Sequence, residues 1–188
     1  VVTGASTGIG AATAKELAGG NTVFVHYHSS KNEAEAVAKA VESGGGTPIL
    51  IQADLATDAG CGKLADEVKA HTDRLDVLVN NAGDLLERHS LEETTWDIAT
   101  RTFELNVFSA MRVTALLLPL LKKTEKANII NMTSVAARNG SPTAITYGSA
   151  KGALDTYTRG CAKGLAPNIR VNAIAPGIIL TPFHDKAT

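Results

Sequence analysis

A chain of 188 residues with 44% hydrophobic and 20% charged side chains has the length and composition of one folded domain with a sizeable core, which excludes disorder and a membrane-protein composition. A formal net charge of −1, with no basic run, argues against nucleic acid or an anionic membrane as a partner. Cys61 and Cys161 are too few for a disulfide framework and lack metal-ligand spacing, so two free thiols in a reducing, cytoplasmic compartment are expected.

Val1-Val2 reads as the end of a strand whose beginning is missing, and Lys186-Ala187-Thr188 stops without a closing element, so a longer parent protein is expected. Strand-like runs rich in Val and Ile follow at 22–27, 48–53, 76–80, 128–133 and 170–175, with helical stretches between them. Near-continuous apolar strands alternating with helices predict a doubly wound, Rossmann-type parallel sheet in three layers, one α/β domain over 1–188. In such sheets ligands bind beyond the C-terminal ends of the strands, so the informative residues stand just after each run.

After the first strand comes Thr3-Gly4-Ala5-Ser6-Thr7-Gly8-Ile9-Gly10, then a helix over 11–18. Glycines 4, 8 and 10 permit a tight turn and close approach of the backbone to a pyrophosphate, which the amides at the helix start would hold. The second strand ends Tyr27-His28-Ser29-Ser30-Lys31, and the first carboxylate after it is Glu33, inside the next helix. An acid for the ribose 2′-hydroxyl is therefore lacking, and the polar, partly basic turn suits a 2′-phosphate held by Ser29, Ser30, Lys31 or a protonated His28: NADP(H) is favoured and NAD(H) is the alternative. Asp54-Leu55 closes the third strand, where Asp54 reads equally as the cap of the following helix. Asn80-Asn81-Ala82-Gly83 closes the fourth; its small residues admit a ligand and its Asn side chains suit bridges between strands. The helix around 96–121 is read as packing surface, kinked or ended near Pro119, and its apolar run Leu116-Leu117-Leu118-Pro119-Leu120-Leu121 is too short to span a bilayer. Asn106, amid apolar neighbours, reads as a buried side chain requiring hydrogen-bond partners.

Ser134 ends the fifth strand, and no Gly-x-Ser-x-Gly elbow surrounds it, which disfavours a hydrolase nucleophile. Thirteen residues on stands Tyr147, and four beyond it Lys151. If Gly148-Ser149-Ala150 open a helix, these two share one face, and the ammonium is expected to lower the phenol pKa by roughly two units. Alone, the pair reads as an ordinary packed tyrosine and solvated lysine. Together with Thr3-Gly4, Asn80-Asn81-Ala82-Gly83, Asn106, Ser134 and Pro176-Gly177, it resembles the short-chain dehydrogenase/reductase family over essentially the whole chain, and within it the 3-oxoacyl-carrier-protein reductases.

The resemblance implies a hydride transfer between nicotinamide and a carbonyl or secondary alcohol, with Asn106, Ser134, Tyr147 and Lys151 as the catalytic four. It assigns cofactor contacts to Gly4, Ser6, Thr7, Gly8, Ile9 and Gly10, to Tyr27, His28 and Ser29, and to Asp54 and Leu55 beside the adenine. It adds Asn81, Ala82 and Gly83 at the ribose, Tyr147 and Lys151, then Pro176, Gly177, Ile179 and Thr181 near the nicotinamide. Residues 138–144 would border a small-molecule substrate, Phe183 and His184 would begin a lid, and a homo-oligomer, tetramer or dimer, would form through the Asn106 and Tyr147 helices. Sugar or alcohol dehydrogenases using NAD, and a catalytically idle dinucleotide sensor, are the alternatives.

Overall fold

The computed structural model describes residues 1–185, and nothing beyond backbone is described for His184 and Asp185, so Lys186-Ala187-Thr188 and any lid role of His184 lie outside the described residues. Its strands are β1 (Thr22–Tyr27), β2 (Thr47–Gln52), β3 (Val77–Asn80), β4 (Ala127–Met132) and β5 (Ile169–Ile174). Helices α1 (Gly8–Glu16), α2 (Lys31–Ser43), α3 (Asp58–His71), α4 (Trp96–Phe103), α5 (Ser109–Leu121), α6 (Ala136–Asn139), α7 (Ile145–Leu165) and α8 (Pro182–Asp185) separate them. A π-helical turn, Glu104–Phe108, joins α4 to α5.

β1 pairs with β2, and β3 with β4 and β4 with β5, all parallel. The two groups meet on one residue: Val2 bridges Val25 of β1 and Val79 of β3. Around it, the Val2 N–H donates to Phe24 O at 3.0 Å and the Thr3 N–H to Val79 O at 3.0 Å. Val1-Val2 thus acts as the central strand, giving the order β2-β1-Val2-β3-β4-β5 with the chain reversing its winding direction there. The C-terminal strand ends converge beside that crossover, where a doubly wound sheet takes its ligand.

Strands buried on both faces need apolar residues throughout, and the core divides accordingly. On one face Leu64 of α3, Leu117 and Leu121 of α5 and Cys161 of α7 pack against Leu78 and Ile129. On the other, Ala14 of α1 and Val37 and Val41 of α2 pack against Val2, Val25 and Val79. Each fully buried leucine contributes about 2 kcal/mol or somewhat more. Cys61 is buried and Cys161 half-buried, both unpaired, and burial pushes the Cys61 thiol up to about 11.

Several boundaries differ from the sequence expectation. Trp96–Leu121 forms one helix of 26 residues, the one helix among the described residues long and apolar enough to cross a membrane, yet half of its apolar window is buried inside the fold. Pro119 lies within its last turn and the helix runs on to Leu121. α7 begins at Ile145 rather than Gly148, so Tyr147 sits in its first turn. The cap of α3 is Thr57, whose hydroxyl accepts the Gly60 N–H; Asp54 instead closes a local turn by accepting the Ala56 N–H at 3.0 Å.

Candidate active site

Thr3 and Gly4 leave the central strand into a loop whose backbone admits little but glycine. Gly4 and Gly8 hold φ of +60° and +55°, the left-handed region where a side chain is strained. A Cβ at Gly4 would lie 2.9 Å from the Ala82 Cα, and one at Gly10 would collide with the Gly4 carbonyl and Asn81 Nδ2. The loop is also pinned from both sides. Asn81 Nδ2 donates to Thr3 O at 2.9 Å and Gly4 O at 3.0 Å, and Thr3 Oγ1 accepts the Asn81 and Ala82 N–H groups, each at 2.9 Å.

His26 completes this clamp. Its Nδ1 accepts the Gly4 N–H at 2.9 Å, which leaves Nε2 to donate to Ala53 O at 3.1 Å. Those partners fix a neutral tautomer. Burial, the largest influence, pulls its pKa down to about 4. The imidazole therefore spans from the glycine loop to the end of β2 without carrying charge at neutral pH.

One cleft of about 630 Å³ runs along the strand ends. At one end it is lined by Gly4, Ser6, Thr7, Gly8 and Ile9, with His28, Ser29, Ser30, Asp54 and Leu55 beyond them. Asn81, Ala82 and Gly83 form its floor. Ser134, Tyr147 and Lys151 stand at the other end, and Pro176, Gly177, Ile179 and Thr181 return over it, bringing Thr181 against Gly8. Asn139, Gly140, Ser141 and Ala144 border that end.

Four expected site residues lie outside the cleft lining. Tyr27 is buried in the core at the end of β1 and does not line the cleft, because the strand pleat turns His26 toward the opening instead. Gly10 stands behind the loop, where its lack of a side chain lets α1 pack on Gly4 and Asn81. Asn106 stands behind Gly83. Lys31 also misses the cleft; it sits 3.7 Å from Glu35 on the exposed side of α2.

The chemical end is built from the π turn, β4 and α7. In the turn the Ser109 N–H donates to Glu104 O, five residues back, and the widened helix carries Asn106 inward. Asn106 Nδ2 donates to Asp84 O at 2.8 Å and Thr102 O at 2.9 Å, while its Oδ1 is buried with no partner. Both that oxygen and the Lys151 Nζ look onto the bare face of Gly83: a Cβ there would lie 2.6 Å from the one and 2.9 Å from the other. Lys151 is 3% exposed and donates to Met132 O at 2.9 Å. Burial alone brings its ammonium down to about 8, so it stays charged at neutral pH.

The Lys151 Nζ lies 5.6 Å from the centroid of the Tyr147 ring. The expected lowering of the Tyr147 pKa is not what the structure gives. Burial raises it and the Asp84 carboxylate adds to the rise, while a hydrogen bond with Ser134 works the other way. Desolvation of a half-buried phenol outweighs a cation lying over its ring rather than at its oxygen.

His26, Asp84, Leu85 and Arg88 also line the cleft and were not singled out from the sequence. The signal for His26 was there: one polar residue inside the apolar run Phe24-Val25-His26-Tyr27. Asp84, Leu85 and Arg88 fall in an irregular segment with no such pattern.

The glycine cradle, the floor of small residues and the unpartnered Asn106 oxygen facing an ammonium suit a dinucleotide laid along the cleft. Comparison with known proteins points the same way. The short chain dehydrogenase family model matches residues 1–188. An uncharacterized oxidoreductase of Methylorubrum extorquens is 42% identical over 183 residues, 96% of this chain and 73% of that one. A 3-oxoacyl-[acyl-carrier-protein] reductase of Synechocystis is 39% identical over 99% of this chain and 76% of its own. The structure of Pseudomonas aeruginosa RhlG in its NADP active-site complex superposes with a TM-score of 0.89 at 33% identity, covering 98% of this chain and 74% of that one. The chain spans only 64%, 63% and 64% of three Bacillus subtilis relatives.

Proposed function

The chain belongs to the short-chain dehydrogenase family, and from that premise we propose that it is an NADP(H)-dependent oxidoreductase acting between a carbonyl and a secondary alcohol. The observation that carries this reading is one cleft with a glycine loop at one end and Ser134, Tyr147 and Lys151 gathered at the other.

The loop amides from Ser6 to Ile9 and the bare backbone of Gly4 and Gly8 would hold the pyrophosphate, Asp54 and Leu55 the adenine, and Asn81, Ala82 and Gly83 the ribose. His28 and Ser29, with Ser30, line the cleft where a 2′-phosphate would lie, and no carboxylate stands at the end of β1 to repel it. Pro176, Gly177, Ile179 and Thr181 would cover the nicotinamide. When bound, the cofactor supplies or accepts the hydride.

The remaining work falls to the chain. Ser134 Oγ donates to the substrate oxygen and fixes its position. Tyr147 gives that oxygen its proton in reduction and takes it back in oxidation. The Lys151 ammonium stabilises the phenolate left behind and reaches the nicotinamide ribose. Asn106, whose Oδ1 faces Lys151, orders a relay water through which the proton is replaced from solvent. Burial raises the Tyr147 phenol pKa, so it rests protonated at neutral pH, the form that gives a proton in reduction. We further place the protein in the cytoplasm, and we assign a homo-oligomer, tetramer or dimer, to the surface of the π turn, α5 and α7, where Phe108 of the turn and Met111 of α5 are exposed.

The test is a fluorescence titration of the full-length protein with NADPH and NADH, followed by a panel of ketones and 3-oxoacyl thioesters. Tight NADPH binding with consumption on one substrate is expected. Binding with no turnover anywhere would favour a dinucleotide sensor, and an NADH preference would overturn the reading of the 27–31 turn.

A further inference from the structure

Residues 84–95 cross from the end of β3 to α4 as a strap beside the cleft, and the strap is tied at both ends to groups of the site. At its start, Asp84 O accepts from Asn106 Nδ2 at 2.8 Å. Two residues on, Leu86 holds φ of +59°, the one non-glycine residue among those described with a positive φ. A left-handed leucine costs about 1 kcal/mol or more and is kept only where the surroundings enforce it. The kink buries Leu85 against the cleft and directs the next residues at the chain entering α7.

There the strap runs parallel to that chain for one bridge, His89 with Ala144. The His89 N–H donates to Thr143 O at 3.1 Å, and Arg88 Nη1 donates to Thr143 Oγ1 at 3.0 Å. The His89 ring is 5% exposed, and its two nitrogens are engaged on different elements. Nδ1 stands 3.0 Å from Ser90 O, which can only accept, and 3.3 Å from Thr94 Oγ1, whose own proton goes to Ser90 O, so Nδ1 carries the proton. Nε2, 2.9 Å from Thr146 Oγ1, is then a lone pair that accepts the Thr146 hydroxyl proton. Thr146 is the residue before Tyr147, in the first turn of a helix whose N-cap, Ala144, makes no side-chain cap bond.

We infer that His89 is a positioning residue for Tyr147: through Thr146 it locks the uncapped first turn of α7 so that the phenol stays against Ser134. This rests on the proposed catalytic role of Tyr147. A helix start without a cap frays readily, and one residue of slack would turn the phenol away from Ser134. Misplacing a catalytic group by about 1 Å can cost on the order of a hundredfold in rate. The strap also joins Asn106 to Tyr147 physically, so the two ends of the proposed relay share one support.

The test separates the two ring nitrogens. His89→Gln places an amide where Nε2 was and keeps an acceptor for Thr146. His89→Asn places one where Nδ1 was, keeping Ser90 and losing Thr146. Thr146→Val removes the hydroxyl from the other side, and Thr146→Ser retains it. For folded enzyme, kcat is expected to fall about 10- to 100-fold in His89→Asn and Thr146→Val. NADPH Kd should stay within about twofold in both, and the two changes combined should cost no more than either alone. His89→Gln and Thr146→Ser should remain within about threefold of wild type.

A merely structural histidine would give Gln and Asn variants equally destabilised with unchanged kcat per folded molecule, and that result would overturn the inference. So would losses that follow NADPH Kd. If the wild type reduces no carbonyl, the functional reading fails by itself, and the Tyr147 phenol still decides the inference through its NMR titration, assigned with Tyr147→Phe. The groups acting on it are Ser134, the Asp84 carboxylate and the Lys151 ammonium. Losing Ser134 moves its midpoint up, so an upward move in His89→Asn and Thr146→Val, absent in His89→Gln, supports the inference, and no move in any variant overturns it.

Discussion

Lys151→Met is expected to make the protein more stable and inactive. The ammonium is 3% exposed, and among the described residues no carboxylate pairs with it. Burial takes its pKa from 10.5 to about 8, a gap worth about 3 kcal/mol at roughly 1.4 kcal/mol per unit. Below about 8 the folded and unfolded chains both hold the proton, and the fold bears the whole penalty. Between about 8 and 10.5 the unfolded chain holds a proton that the folded chain has released, so wild-type stability gains with rising pH across that window. Methionine fills similar space without charge but gives up the hydrogen bond to Met132 O, worth about 1 kcal/mol. The net expectation at pH 7 is a gain of about 2 kcal/mol, shrinking as the pH nears 10 and the wild type sheds its proton. Urea denaturation followed by circular dichroism at pH 7 and pH 9.5 measures both. A variant less stable than wild type at pH 7, or a gap unchanged at pH 9.5, would show that the charge is not held at a cost.

His26 should show the same sign in a lower window: its folded pKa of about 4 lies below the ordinary 6.5, so the unfolded chain protonates first and stability falls as pH drops from 6.5 to about 4. The loss attributable to it is about 3 kcal/mol, read as the difference between wild type and His26→Asn in urea titrations at each pH; parallel losses in the two proteins would refute it. Tyr147→Phe is expected to keep NADPH Kd within about twofold and to lower kcat by roughly 10² to 10⁴, measured on whichever carbonyl the wild type reduces. Gly10→Ala forces a methyl into the Gly4 carbonyl, which is backbone and unable to yield cheaply, so NADPH binding should be lost by fluorescence titration while Gly19→Ala, with open space around it, changes nothing.

The sequence announces the parts of this molecule that repeat a simple period or demand a special backbone. Five strands were visible because each is an apolar run bounded by breakers, and even Val1-Val2 carried enough to mark a sixth. Gly4 and Gly8 were legible because their positive φ leaves few other residues possible. Tyr147 and Lys151 were legible only in company with the glycine turn, Asn106 and Ser134, and the direction of the phenol's pKa was not: burial depends on what the rest of the chain stacks around the ring, and no local rule encodes it. His89 was invisible for a related reason. Its partners Thr143, Ala144 and Thr146 lie more than fifty residues away, and nothing in His-Ser-Leu-Glu announces them. Tyr27 and Lys31 were placed in the cleft by nearness in sequence, while the pleat of β1 and the first turn of α2 send them elsewhere.

The π turn at Glu104–Phe108 holds one residue more than regular winding would. In a regular helix each residue advances about 100°, so an extra residue would rotate Ser109–Leu121 by that angle relative to Trp96–Phe103. The widened turn takes up that angle, and Asn106 reaches Asp84 and Thr102 while Val113, Leu117 and Leu121 stay against the sheet. A single gap inside the turn would therefore undo the Asn106 arrangement and spare the core, whereas a gap elsewhere in the helix would swing one half of it out of register.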